Sequence, residues 1–264
     1  MSTTKRKPNS RLTKAASLVP MGWPPENLIE QKKEFDRTVV FDLHGPIVDW
    51  ATRFCQFASN KLKRTIDPSK MRHYCTGYDA GMPITPREFF ELFWAFAGLS
   101  VGGYDALPEQ PGAIKAIHAI QKAGIKVQIW TYVPGASDAD SDTFVSLGTG
   151  ASQEATWRLL EAIGLGSARE VRRMVRFIHP EHKASQMGKE NLPLIVEDHP
   201  ATAVMHSMAY GGATILVPET YNQYLSAPGI LRLDDRADLA EAVIGFFDGM
   251  NKAGCLALGD DAQS

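Results

Sequence analysis

The sequence is poor in cysteine: Cys55, Cys75 and Cys255 stand far apart and form no CxxC pair. That excludes a disulfide framework and a thiolate zinc site, and it suits a reducing compartment. Charge of one sign is also lacking. Lys and Arg number 28 against 30 Asp and Glu, a formal charge of −2 at pH 7, so no extended nucleic-acid surface and no membrane-surface attraction are expected. No apolar run approaches the roughly 18–20 residues of a spanning helix, and no internal repeat is visible. The segment 1–14 is basic and polar and has no apolar stretch before a small-residue cleavage site. It does not read as a secretory signal, and a cytoplasmic location is expected.

What is present is an alternation of strand and helix signals. Residues 1–35, with Pro8, Pro20, Pro24 and Pro25 among scattered charges, read as a flexible leader. Residues 38–42 form a short β-branched strand. Trp50, Phe54, Phe57, Ala58 and Leu62 then recur at helical spacing, and Thr85-Pro86-Arg87-Glu88 opens a second helix with a capping box and proline at its first position. Further strands are expected at 125–131, 174–178, 192–196 and 213–217. Helices are expected at 112–123, at 153–163, from 200 to about 211, and at 238–250. The fold class predicted is α/β: a doubly wound, Rossmann-like parallel sheet with a small α-helical cap inserted after the first strand. In domain terms, 36–47 with 109–250 make the core, 48–108 the cap and 251–264 a tail.

The residues that close the strands form a set. The first strand ends in Asp42, the second in Thr131 and the fourth in Glu197-Asp198, with Lys183 in the segment feeding the fourth. Ligands of such sheets sit beyond the carboxyl ends of the strands, at the topological switch point. Acidic residues converging there repel one another, and a cation with oxygen ligands offsets the repulsion.

This order, an apolar strand with Asp42-Leu43-His44-Gly45, an apolar strand ending in Thr131, a lysine, and an apolar strand ending in two acids, resembles the haloacid dehalogenase superfamily over about residues 37–235. Pro111-Gly112-Ala113-Ile114, Ile129-Trp130-Thr131, Leu194 to Asp198, and Pro218 with Tyr221-Asn222 resemble its 5'(3')-deoxyribonucleotidases and related nucleotidase-like phosphatases. The resemblance implies a small-molecule phosphomonoester as partner, with a nucleoside monophosphate leading. Asp42 would be the nucleophile, and backbone N–H groups of the turn at Gly45 would cradle the phosphate. Thr131 and Lys183 would bind the phosphoryl group. Mg²⁺ would be held by Asp42, the backbone carbonyl of His44 and Asp198, with Glu197 direct or through water. Lys183 is preferred to Lys189 for the lysine role, because 182–185 can open a helix leading to the fourth strand. Oligomeric state stays open, a homodimer included.

One departure matters. Phosphatases of this superfamily carry an Asp where this chain has His44, and Pro46 removes an N–H from the same turn. Three readings follow: His44 is the general acid/base, since an unperturbed pKa of about 6.5 suits both duties; the aspartyl-phosphate forms but hydrolyses slowly; or the protein is a catalytically degenerate derivative with a binding or assembly role. Asp42-Leu43-His44-Gly45 also resembles the opening of calcineurin-like metallophosphoesterases, but no Asn-His follows and the later Gly-Asp is Gly259-Asp260. Asp138, Asp140 and Asp142 imitate a calcium loop that lacks its glycine and closing glutamate. The cap aromatics Phe89, Phe90, Phe93 and Trp94 read as core, with one ring free to stack on a base.

Overall fold

The computed structural model describes residues 35–71, 83–99, 101–133 and 150–254. Residues 1–34 of the leader, residues 255–264 of the tail, Cys75, Cys255 and the aspartates at 138, 140 and 142 lie outside the described residues. The first strand, β1 (Thr38–Phe41), is buried along its whole length. It is followed by the cap helices α1 (Trp50–Leu62) and α2 (Pro86–Ala97). Then come α3 (Ala113–Lys122), β2 (Lys126–Thr131), α4 (Gly150–Ala162), α5 (Ala168–Met174) and β3 (Val175–Phe177). The chain continues through α6 (Pro180–Lys189), β4 (Leu194–Glu197), α7 (Pro200–Val204), β5 (Ala213–Leu216), β6 (Ile230–Arg232) and α8 (Leu239–Lys252).

The six strands pair in the order β3-β2-β1-β4-β5-β6, every pair parallel. Strand side chains alternate between faces, so β1 sends Val39 and Phe41 one way and Val40 the other. Val39 and Phe41 join the large core with α3 and α8, whereas Val40 packs with Trp130, Met187 and Ile195 under α6. Each such fully buried side chain contributes roughly 1.5–3 kcal/mol. From β1 the chain moves outward to β2 and β3, then returns to β4 on the other side of β1. The switch point therefore falls between β1 and β4.

The cap forms for local reasons. The Asp49 side chain accepts from Thr52 N–H and starts α1. Thr85 and Glu88 make the expected reciprocal capping box, with Pro86 at the first helical position. Phe54 of α1 stacks on Trp50 at 4.6 Å and meets the edges of Phe89 and Phe96 of α2. Phe93 is partly buried against the same core, while Phe90 and Trp94 point outward, 48% and 42% exposed.

Three features depart from the expectation. The edge strand β6 pairs with β5 through Thr214↔Ile230 to Leu216↔Arg232; at three half-buried residues it is too short to show a period. Helix α5 precedes β3, begun by a capping box of Ser167 and Glu170. The helix expected from 200 to about 211 is α-helical only to Val204 and widens into a π-turn, Met205–Ala209. The buried His206 ring of that turn fills the space where a Cβ on Gly212 would sit, 2.1 Å from Nε2. No described helix is long and apolar enough to cross a membrane.

Candidate active site

Parallel pairing of Phe41 with Val196 sets the ends of β1 and β4 side by side. Asp42 N–H donates to Val196 O at 2.8 Å, which continues the ladder by one bond and delivers the Asp42 carboxylate next to Glu197 and Asp198. One oxygen from each of these three carboxylates lies within 4.8 Å of the others, and all three residues are buried. Lys183 reaches the cluster from the first turn of α6, a helix begun by Pro180 behind the N-cap His179. Its Nζ donates to Asp42 Oδ1 at 2.8 Å and to Glu197 Oε2 at 3.2 Å. Lys189, the rival for this role, ends the same helix in the solvent.

Electrostatics follow from that count. Burial alone would lower the Lys183 pKa, but the Asp42 and Glu197 carboxylates outweigh it and hold the ammonium above its ordinary range. Burial raises Glu197, with Lys183 opposing and Asp42 reinforcing. Asp198 is pushed well above the usual carboxylate range by burial, then by the charges of Glu197 and Asp42. Three carboxylates share one ammonium, so the ionised cluster is two positive charges short.

The donors needed to offset this are unevenly distributed. Glu197 is already engaged: Oε2 faces Lys183, and Oε1 accepts from the N–H groups of Asp198 and His199 at 3.3 and 3.1 Å. On Asp198, Oδ2 accepts the Tyr221 hydroxyl, while Oδ1 is buried without a hydrogen-bond partner among the described residues. The Asn222 amide holds the same residue by its backbone, donating to Asp198 O at 2.9 Å and Val217 O at 2.8 Å. An all-oxygen donor set, an unpartnered buried oxygen and a shortage of two positive charges fit a hard divalent cation.

Thr131 closes β2 as expected, fully buried, and its Oγ1 also has no hydrogen-bond partner among the described residues. Gly45 differs from the expectation. Its N–H donates to Val48 O at 2.9 Å and is not free for a phosphate. What the turn requires of Gly45 is conformation and space. Its φ is +89°, and a Cβ would lie 2.4 Å from Asp198 Cγ.

His44 also departs from expectation. The ring is buried, edge-on to Tyr104 with centroids 5.4 Å apart, and Nε2 lacks a partner among the described residues. Burial pushes its pKa down to about 4, Asp42 opposing and Lys183 reinforcing, so the unperturbed value of about 6.5 does not apply. The ring is neutral at pH 7. The converging side chains are the three carboxylates, and the imidazole is not among them.

A cavity of about 50 Å³ opens onto Asp42, His44, Lys183 and Asp198, rimmed by Tyr132 and His199. That is room for several waters. A second, narrower cavity lies on the cap side, lined by His44, Asp198, Asp49, Trp50 and Glu219. Besides histidines, the rings that reach these cavities are Tyr132, Trp50 and Tyr221; the α2 aromatics Phe89, Phe90, Phe93 and Trp94 line neither. Residues that sequence reasoning gave no role include Tyr104, Glu219 and Arg236. Arg236 donates to Gly45 O at 2.8 Å and pairs with Glu219. Burial raises the Glu219 pKa to about 7 despite Arg236, with Asp49 reinforcing. Asp235 accepts from Ala237 N–H and starts the turn that carries Arg236, but no periodicity announces a contact across 191 residues.

No protein-family model matches the sequence, and no curated protein matches it. Among solved structures the chain is similar to a HAD family hydrolase from Deinococcus radiodurans R1 with bound phosphate and sodium. Identity is 15% over 85% of this chain and 99% of that one, with a TM-score of 0.49. It is similar to CbbY from Rhodobacter sphaeroides in complex with phosphate at 16% identity, over 78% of this chain and 96% of the other, TM-score 0.44. A haloacid dehalogenase-like family hydrolase from Xanthomonas campestris gives 13% identity over 84% and 95% of the two chains, TM-score 0.46.

Proposed function

We propose that this protein is a Mg²⁺-dependent phosphomonoester hydrolase that works through an aspartyl-phosphate on Asp42. The observation that carries this reading is the buried cluster itself: Asp42, Glu197 and Asp198 together with the single ammonium of Lys183. Buried charge this unbalanced is costly in a protein that does not use it, and it suits a site that takes up a cation and an anionic ester together.

Mg²⁺ would be held by Asp42, Asp198 and the backbone carbonyl of His44, with Glu197 direct or through water, and it would supply charge neutralisation at the phosphoryl oxygens. An Asp42 carboxylate oxygen forms the new bond to phosphorus as the ester P–O bond breaks. Lys183 and the Thr131 hydroxyl steady the charge that spreads over the phosphoryl oxygens. In the second half, water attacks phosphorus, the Asp42 oxygen leaves, and the water proton goes to His44 Nε2. A neutral imidazole suits that second half better than the first, because it is protonated too little to serve readily as an acid. Esters with good leaving groups, which need little protonation, are therefore turned over faster.

A nucleoside monophosphate is the leading substrate class, supported by the nucleotidase-like segments of the sequence and by the Tyr132 and Trp50 rings at the two cavities. One observation favours a second reading, a binding protein without turnover: the depressed pKa of His44 where an acidic residue would serve as acid. Phosphate release from a nucleoside monophosphate panel, with and without Mg²⁺, separates the two. Turnover that Asp42→Asn abolishes supports the hydrolase. A silent wild type in which His44→Asp creates activity supports the binding derivative.

A further inference from the structure

We propose that Arg236 is a positioning residue that fixes the distance between the Asp42 turn and Asp198. The proposal rests on the site reading above but is built from different contacts. The turn after Asp42 lies directly on Asp198, since a Cβ on Gly45 would fall 2.4 Å from Asp198 Cγ and Oδ2. A shift of a fraction of an ångström in this turn changes the gap between the two carboxylates that face one cavity.

Local hydrogen bonds shape the turn, and its far side is tied to the next segment by Gln110 N–H donating to Ile47 O at 2.8 Å, which leaves the Gly45 end to be held. Gly45 N–H donates to Val48 O, and the N–H groups of Ile47 and Val48 donate to Leu43 O. At Gly45 the anchor comes from Arg236. Its Nη1 donates to Gly45 O at 2.8 Å, and its Nη2 donates to Pro218 O at 3.1 Å and pairs with the Glu219 carboxylate. The same 217–222 loop holds Asp198, through the Tyr221 hydroxyl on Oδ2 and the Asn222 amide on the backbone carbonyl. One loop thus brackets both carboxylates, and the guanidinium closes the bracket on the Asp42 side.

The guanidinium has a rigid mount. Arg236 opens the turn Arg236–Asp238, which runs directly into α8, whose Leu239, Val243, Phe246 and Phe247 are buried in the core. A planar fork can serve Gly45, Pro218 and Glu219 at fixed angles; a lysine ammonium on a flexible stem cannot.

Hydrogen exchange of the whole chain tests this with or without turnover. In Arg236→Ala and Arg236→Lys, backbone amides within 43–48 are expected to exchange at least ~10-fold faster, while those of β1 and β2 keep their protection. With p-nitrophenyl phosphate and Mg²⁺, Arg236→Ala is expected to lose ~10-fold or more in kcat with a smaller change in KM, and millimolar guanidinium to restore part of the loss. Arg236→Lys, which keeps charge and bulk, guards against a variant that fails to fold. Unchanged exchange at 43–48 in the folded variants overturns the proposal. A wild type inactive on every ester overturns the hydrolase reading alone, since the exchange result still decides the role of Arg236.

Discussion

Lys183 Nζ lies 2.8 Å from Asp42 Oδ1 across 141 residues of sequence, and the same ammonium reaches Glu197 at 3.2 Å. It pairs with two of the three buried carboxylates of the cluster. Replacing it with methionine keeps the bulk and leaves those carboxylates unpaired. Lys183→Met should therefore cost about 3–5 kcal/mol, measured by urea denaturation at pH 7 without divalent cations. A loss under 1 kcal/mol would mean that the carboxylates are not held ionised by this contact.

Asp198→Asn should act in opposite directions on stability and on metal response. Burial and the neighbouring carboxylates raise the pKa of Asp198, so its ionised form destabilises the fold as pH rises. Removing the charge should raise the melting temperature in EDTA. It should also abolish the stabilisation by Mg²⁺ that the proposed function predicts for the wild type. Thermal melts of both proteins with and without Mg²⁺ check both halves, and an unaltered Mg²⁺ shift in the variant counts against Asp198 as a ligand.

Gly45→Ala tests the contact between the turn and Asp198. The φ of +89° is strained for alanine, and the added Cβ falls 2.4 Å from Asp198 Cγ. The left-handed conformation alone costs roughly 1–2 kcal/mol, and the clash adds to it. Melting temperature should fall, and turnover should fall further than stability does. A variant with wild-type stability and turnover would show that the turn can move away from Asp198 freely.

Stability below neutrality should report His206. Burial lowers its pKa to about 4, beside the neutral hydroxyls of Thr214 and Ser207. The unfolded chain, with histidine near 6.5, binds the proton more readily than the folded one. Its contribution is therefore complete above about pH 6.5, declines as pH falls, and is lost by about pH 4, reaching at most about 3 kcal/mol. His44 adds in the same direction over the same window. Urea midpoints measured from pH 4 to 7 should slope less steeply in a folded His206→Gln variant; an identical slope would place the effect elsewhere.

Much of this architecture is legible in the residues themselves. β-branched runs such as Thr38–Phe41, and helices with strong local starts such as Thr85-Pro86 with Glu88, signal their own conformation. A parallel sheet then brings strand ends to one edge, so Asp42, Thr131, Glu197 and Asp198 could be singled out from chain order alone. The short strand β6 was not visible, because three residues carry no period and Ile230 is fixed by pairing to Thr214. The π-turn at 205–209 was not visible either, because it depends on where the His206 ring packs against Gly212.

Chain order is enough to place the acids at the strand ends, because every strand of a parallel sheet finishes at the same edge. It also put His44 two residues beyond Asp42. What those residues experience depends on how the folded chain surrounds them. Burial, which no residue carries in its own chemistry, lowers His44 and raises Asp198. The contacts that hold the site, Lys183 on Asp42 and Arg236 on Gly45, span 141 and 191 residues. They exist because the sheet and α8 bring distant segments together, and local periodicity does not encode such distances.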